Sequence, residues 1–317
     1  MSKVLAQVVT VPAEANETSA VWLRFRAGTL GVISLAFLVV LAAAALTSDL
    51  YLSRGYAEQS LLTANQSPLT GHGLLGTDPL GRDLLARVLF GIRLSLAAAF
   101  VAVAVQLLVG VTLGMIAGHR GGRTDAAIMR TVDVLLALPG LLIALVIGLS
   151  IKEQVLTGTG WFAGALRALD GASAGMAPVF AVITLFFWVS IARIVRGEVR
   201  RIEQLDYVRA AKATGASSSR ILRRHVLRNC TGPIVVSCTL AIPLAMVFEA
   251  SLSLVGVGVA APTPSLGLMI YEGSQQINSF PYQTVVPAVT FALITIAFMF
   301  VGNGLRDAFD PTGPSGR

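Results

Sequence analysis

The chain has 317 residues, 55% hydrophobic and only 13% charged, with a mean hydropathy of +0.75. So little polar surface cannot clothe a soluble core, which excludes water as its only solvent. A net charge of +7 raises the question of nucleic acid. Aromatic residues make up only 7%, however, and do not interleave with the basic cluster, so there is no stacking platform for bases. The two cysteines, Cys230 and Cys238, stand eight residues apart on one predicted helix. That is about 12 Å by helical rise, beyond the roughly 7 Å a disulfide spans. No Cys and His spacing fits a metal site, and His72, His119 and His225 are scattered singly.

In chain order, residues 1–27 are a mixed polar tail with Lys3, Arg24 and Arg26. Residues 28–47 are uncharged and as long as a roughly 30 Å hydrocarbon core requires. This reads as a retained first span, since the apolar region of a cleaved signal peptide would be shorter. Residues 48–93 form a segment with a predicted interfacial helix. In it Asp78 caps a first turn opened by Pro79, Asp83 pairs with Arg87 at i, i+4, and Leu80, Leu84, Leu85 and Val88 face lipid or neighbouring helices.

Residues 94–303 hold five more predicted spans, at 94–118, 134–150, 176–192, 234–260 and 285–301. Pro139 and Pro243 each remove a backbone donor and invite a kink. Asp133, at the inner end of the third span, is placed to pair with Arg130 and to favour a helix N-terminus. Glu249 is the one charge inside these apolar blocks. A carboxylate at membrane depth is costly and faces protein or a wet cavity, so it is read either as a tie to a neighbouring span or as a pore contact. Residues 304–317 form a C-terminal tail.

Six spans put both termini on one side, and short loops rich in Lys and Arg stay in the cytoplasm. With the N-terminus inside, eighteen basic residues are cytoplasmic, ten of them between Arg193 and Arg228. Six lie outside: Arg54, Arg82, Arg87, Arg93, Lys152 and Arg167. The expected topology is N-in and C-in.

The cytoplasmic loop 193–232 is too long for a simple turn, and its pattern is helical. Leu205, Val208 and Ala211 fall at i, i+3, i+6, with Ala210 and Ala213 alongside. Gly215 stops this helix after Thr214, and Ser217 or Ser218 caps the next. Ile221, Leu222, Val226 and Leu227 then form an apolar stripe beneath Arg220, Arg223, Arg224 and Arg228. Composition alone leaves two readings level: a hook inserted into a groove on a cytoplasmic partner, or a basic pair lying on anionic lipid heads.

The run Tyr207-Val-Arg-Ala-Ala-Lys-Ala-Thr-Gly215, followed by Ser219-Arg-Ile-Leu-Arg-Arg-His-Val-Leu-Arg-Asn229, resembles the EAA loop of bacterial ABC importer permeases. It departs at Arg209, where the family usually has Glu, and at Arg228, where it usually has Pro. Gly76-Thr-Asp-Pro-Leu-Gly-Arg-Asp83, Glu249-Ala-Ser-Leu-Ser-Leu-Val-Gly256, Pro262-Thr-Pro-Ser-Leu-Gly267 and Gly302-Asn-Gly-Leu-Arg-Asp-Ala-Phe-Asp-Pro311 resemble the dipeptide, oligopeptide and nickel branch, in the same order. Ala260, Ala261 and Leu266 depart from the usual residues of its outer loop.

The resemblance implies an all-α integral membrane protein with the type I ABC importer transmembrane fold, located in the bacterial inner membrane. It implies that Leu205, Tyr207, Val208, Arg209, Ala210, Ala211, Gly215, Ala216 and Ile221 form a coupling loop docking on an ATPase. Asp78, Arg82, Asp83 and Arg87 become candidates for contact with a substrate-delivering protein, against the plainer reading of a surface helix. Implied partners are a second, homologous permease, two ATP-binding subunits, an extracytoplasmic binding protein and membrane lipid, with no nucleic acid. ATP and magnesium belong to the partner subunits, for this sequence contains no GxxxxGK[ST] phosphate cradle. The competing class, an ion-coupled secondary transporter or channel, would show several ionisable residues at membrane depth, and an intramembrane enzyme would show a paired constellation. The expected cargo is a dipeptide or oligopeptide, with nickel complexes, glutathione and oligosaccharides as the alternatives that the branch allows.

Overall fold

The computed structural model describes residues 17–52, 55–70, 73–222, 226–259 and 262–309. His72, His225, Arg223, Arg224, Ala260 and Ala261 lie outside the described residues. Among the described residues, six helices are long and apolar enough to cross a membrane: Thr29–Tyr51, Leu84–Arg120, Gly140–Thr157, Ala177–Glu203, Leu227–Leu254 and Tyr282–Phe309. In chain order the helices are α1 (Glu17–Ala27), α2 (Thr29–Tyr51), α3 (Leu84–Val105), α4 (Thr112–Arg120), α5 (Gly122–Ala137), α6 (Gly140–Thr157) and α7 (Trp161–Ala172). They continue with α8 (Ala177–Phe186), α9 (Trp188–Glu203), α10 (Asp206–Ala213), α11 (Ser218–Ile221), α12 (Leu227–Leu254), α13 (Leu266–Ser274) and α14 (Tyr282–Phe309). A π-helical stretch, Gln106–Val111, joins α3 to α4 within the second span.

The core is one apolar body at membrane depth, built from α3, α8, α12, α13 and α14 around Ile92, Ile183, Met246, Leu252, Leu266 and Ile294. A second cluster sits at the end of the bundle that carries the connection between spans four and five. There Val195, Val199 and Ile202 of α9 meet Val208, Ile221, Val226 and Cys230. Leu30, Val40 and Leu46 of α2 and Leu142 and Val146 of α6 remain exposed, which fits surfaces whose solvent is hydrocarbon rather than water.

Several expected boundaries move. The second span starts at Leu84, ten residues before the expected 94, so no separate interfacial helix forms over 78–93. The helix tolerates Arg87 and Arg93 because both are neutralised locally. Arg87 pairs with Asp78 and Glu272, and Arg93 with Asp49 at 2.8 Å. The expected third span at 134–150 is divided by Pro139. Amphipathic α5 ends at Ala137, extended Leu138 follows, and the span proper is α6. The fourth span continues to Glu203 and the fifth begins at Leu227, so the connection between them spans 204–226 rather than 193–232, of which 204–222 and 226 are described.

The fifth span runs through both Pro233 and Pro243 without interruption. Membrane helices tolerate proline where neighbouring groups satisfy the freed carbonyl. The sixth begins at Tyr282 and continues to Phe309, so Arg306 belongs to the helix rather than to the expected tail of 304–317. Cys230 and Cys238 are both free and buried.

Candidate functional site

The loop 204–226 is held as a hook. α10 opens at Asp206 and its chain turns at Gly215, whose φ of +83° is a left-handed conformation that glycine adopts without steric cost. The N–H of Ala216 donates back to the carbonyl of Ala211 at 3.0 Å, closing the helix end. Ser217 then precedes α11: its carbonyl accepts from Ile221 N–H at 3.0 Å and its hydroxyl from Arg220 N–H at 3.4 Å. Beneath the hook, Val208, Ile221 and Val226 are buried in one cluster with Ile202 at the end of α9. Leu205, Tyr207, Arg209, Ala210 and Gly215 face outward, and Ala211 and Ala216 are half-buried. The nine residues of the expected coupling loop thus divide into a buried foot, Val208 and Ile221, and a presented face. Asn229 of α12 donates to the Tyr207 hydroxyl at 3.2 Å, tying that face to the fifth span.

The hook is carried on α9. α9 packs along α4, and the contact depends on Gly110, Gly114 and Gly118, one helical turn apart. A Cβ on Gly110 would lie 2.1 Å from Ile191, on Gly114 2.6 Å from the Ala192 carbonyl, and on Gly118 2.6 Å from Val199. Small residues at every fourth position let two membrane helices approach at backbone distance. This seam was not identified from the sequence, although a GxxxGxxxG run inside an apolar span was there to be read.

An ionic clamp flanks the seam. Asp125 of α5 accepts from Arg196 in a two-pronged contact at 2.5 and 2.7 Å, and from Arg200 at 2.5 Å. The Arg196 hydrogen bond holds the Asp125 carboxyl below its ordinary range, against the opposing effect of burial. His119 of α4 meets Glu203 of α9. Asp133 pairs with Arg193 rather than with the expected Arg130, because Asp133 lies within α5, where α9 passes it, and not at a span terminus.

On the other face of the membrane, Asp78, Arg82 and Arg87 form a buried cluster. Arg82 Nε lies 2.5 Å from Asp78 Oδ2, Arg87 reaches the same oxygen, and Arg87 also lies 2.8 Å from Glu272 of α13. Asp78 and Arg87 are 3% and 2% exposed, so neither offers a docking surface. Asp78 does not cap a helix. Its carboxylate accepts from the N–H of Leu80 and of Arg82, both at 2.9 Å, in a tight turn. Asp83 is the N-cap of α3, accepting from Leu85 and Ala86, and leaves the expected Arg87 partnership to Asp78 because its carboxylate is engaged with the backbone. Gln283 of α14 donates to Asn65 at 2.9 Å and to the Thr77 carbonyl at 3.0 Å, binding the same lobe to the sixth span.

Glu249 is 0% exposed. Its carboxylate accepts from Ser95 of the second span at 3.0 Å and from Ser253 at 2.7 Å. It is a tie between spans two and five, with the serines as the partners that the sequence did not reveal.

Six apolar crossings around one core, with a helical hook carried from the fourth, define a multi-pass membrane protein. The comparisons agree. The chain is 35% identical over 289 residues to the oligopeptide transport system permease protein OppC of Bacillus subtilis (strain 168), covering 91% of this chain and 88% of that one. It is 35% identical to the dipeptide permease DppC of the same organism over 93% of this chain and 85% of the relative. To the glutathione permease GsiD of Pectobacterium atrosepticum the identity is 35%, over 92% and 89%. A chain from the inward-facing MetNI methionine ABC transporter shares the fold, with a TM-score of 0.52 at 20% identity over 72% of this chain and 98% of that one.

The chain belongs to the family described as binding-protein-dependent transport system inner membrane component, which matches residues 110–312. It is a non-catalytic, multi-pass permease subunit of an importer in the bacterial inner membrane. Permeases of this family work with ATPase subunits and a binding protein.

Proposed function

We propose that this chain pairs with a second, homologous permease to form the pore of an ATP-driven peptide importer, and that loop 204–226 is the hook on which the ATPase docks. The observation that carries this is the construction of the hook. Its outward face, Leu205, Tyr207, Arg209 and Ala210, is exposed, while Val208 and Ile221 anchor it rigidly to a helix continuous with the fourth span. A push on that face is delivered to α9 and through the glycine seam to the second span, which is the geometry that rigid-body rocking requires. ATP and magnesium reside on the two partner ATPases, and substrate arrives from an extracytoplasmic binding protein. Peptide cargo is supported by the relatives named for oligopeptide, dipeptide and glutathione transport.

Gly215→Val tests the docking. A Cβ at Gly215 meets nothing within 4 Å, so the substitution acts through the backbone alone. A β-branched residue in the left-handed region costs about 1–2 kcal/mol or more and opens the turn. The expected result is normal membrane insertion with several-fold weaker co-purification of the ATPase and loss of labelled-peptide uptake. Unchanged co-purification overturns the assignment of the hook.

A further inference from the structure

Helix α7 is built the wrong way round for water. Trp161, Ala165, Ala168, Leu169 and Ala172 fall at i, i+4, i+7, i+8 and i+11, one stripe of a helix, and Phe162 lies at its edge. All of them are exposed, Trp161 by 85% and Leu169 by 62%. The two charged side chains are engaged with their own chain. Arg167 donates to the carbonyls of Val155, at 2.8 Å, and Gly158 at the end of α6. Asp170 accepts from the Ala177 N–H at the start of α8, at 3.3 Å. The polar groups close the connection between spans three and four, and the apolar stripe is turned outward.

Three observations identify what covers the stripe. It follows directly on the membrane-spanning α6, where Val146, Leu149 and Leu156 are likewise exposed up to one turn before Gly158. It begins with a tryptophan and a phenylalanine, and bulky aromatic side chains, tryptophan above all, favour the boundary between headgroups and acyl chains. It carries no charge to steer a protein partner. Its apolar area is roughly 450 Å² by ordinary side-chain sizes, little more than half of the roughly 800 Å² that each side of a specific protein interface contributes.

We propose that α7 is an interfacial membrane helix, its Trp161 to Ala172 stripe inserted among the phospholipids of the outer leaflet. It thereby fixes the height of the connection between the third and fourth spans. The polar groups of the helix hold the chain together, and the bilayer supplies the other wall.

Site-specific photocrosslinking in intact membranes, with the native partner subunits present, tests this. The variants are Trp161→p-benzoylphenylalanine and Leu169→p-benzoylphenylalanine, with Val146→p-benzoylphenylalanine on α6 as the lipid-facing reference. Irradiation is expected to add the mass of one phospholipid to the α7 peptide in both test variants, in yield comparable with the reference. A cross-link from either position to another polypeptide, whether a second permease, a further copy of this chain or the binding protein, overturns the proposal. So does the absence of any adduct on α7 while the reference captures lipid, since the stripe then faces water. If one variant does not accumulate, the other decides.

Discussion

Asp125 shows how much one side chain carries. It joins α5 to α9 by holding Arg196 and Arg200 together, and its carboxyl is shifted below the ordinary value of 3.8, chiefly by the Arg196 hydrogen bond. A carboxyl whose pKa is lowered by folding contributes stability that is complete above its unfolded pKa and lost as pH falls through the lower folded value. At neutral pH the clamp is therefore intact, and Asp125→Asn removes it. The cost is about 1–2 kcal/mol, most of it from Arg196, because Arg200 is partly solvated and its share is screened. Thermal unfolding of the purified complex should show the Asn variant melting a few degrees lower at pH 7, with the gap closing as the pH falls below about 4. A gap that stayed constant with pH would mean that the charge plays no part.

Between elements, the seam of α4 on α9 sets whether the hook moves with the spans. Gly114 is the central test, since a side chain there meets the Ala192 carbonyl and Val195 at once. Gly114→Leu should force the helices apart at a cost of about 1–3 kcal/mol or more, lowering the yield of folded chain. In whatever folds, stimulation of the ATPase by substrate-loaded binding protein should be lost. Gly140, which has nothing within 4 Å of its Cβ position, is the matched control, and Gly140→Ala should leave both readouts unchanged. If Gly114→Leu left coupling intact, the lever would have to run through α12 instead, where Asn229 touches Tyr207.

For the whole molecule, sidedness is the first question. In a chain lacking Cys230 and Cys238, Ala210→Cys should react with a membrane-impermeant maleimide only in inside-out vesicles. Leu62→Cys, on the exposed lobe before the second span, should react only from the outside. The reverse pattern would invert the topology. Much of this architecture was legible in the sequence because its cause is local. Twenty apolar residues in succession demand a helix across a bilayer whatever their neighbours, and a glycine after the alanine-rich α10 turns the chain at Gly215. What the tertiary structure decided were the partnerships of charge and the helix ends that depend on them. Arg87 enters a membrane helix only because Asp78 and Glu272, the latter 185 residues away, neutralise it. Asp133 turns to Arg193 because two helices cross there, and Glu249 becomes a tie only where Ser95 arrives from another span. Sequence spacing reports which residues share a helical face, but a buried charge is stabilised by whatever the folded chain brings within about 3 Å, and that distance is set by packing.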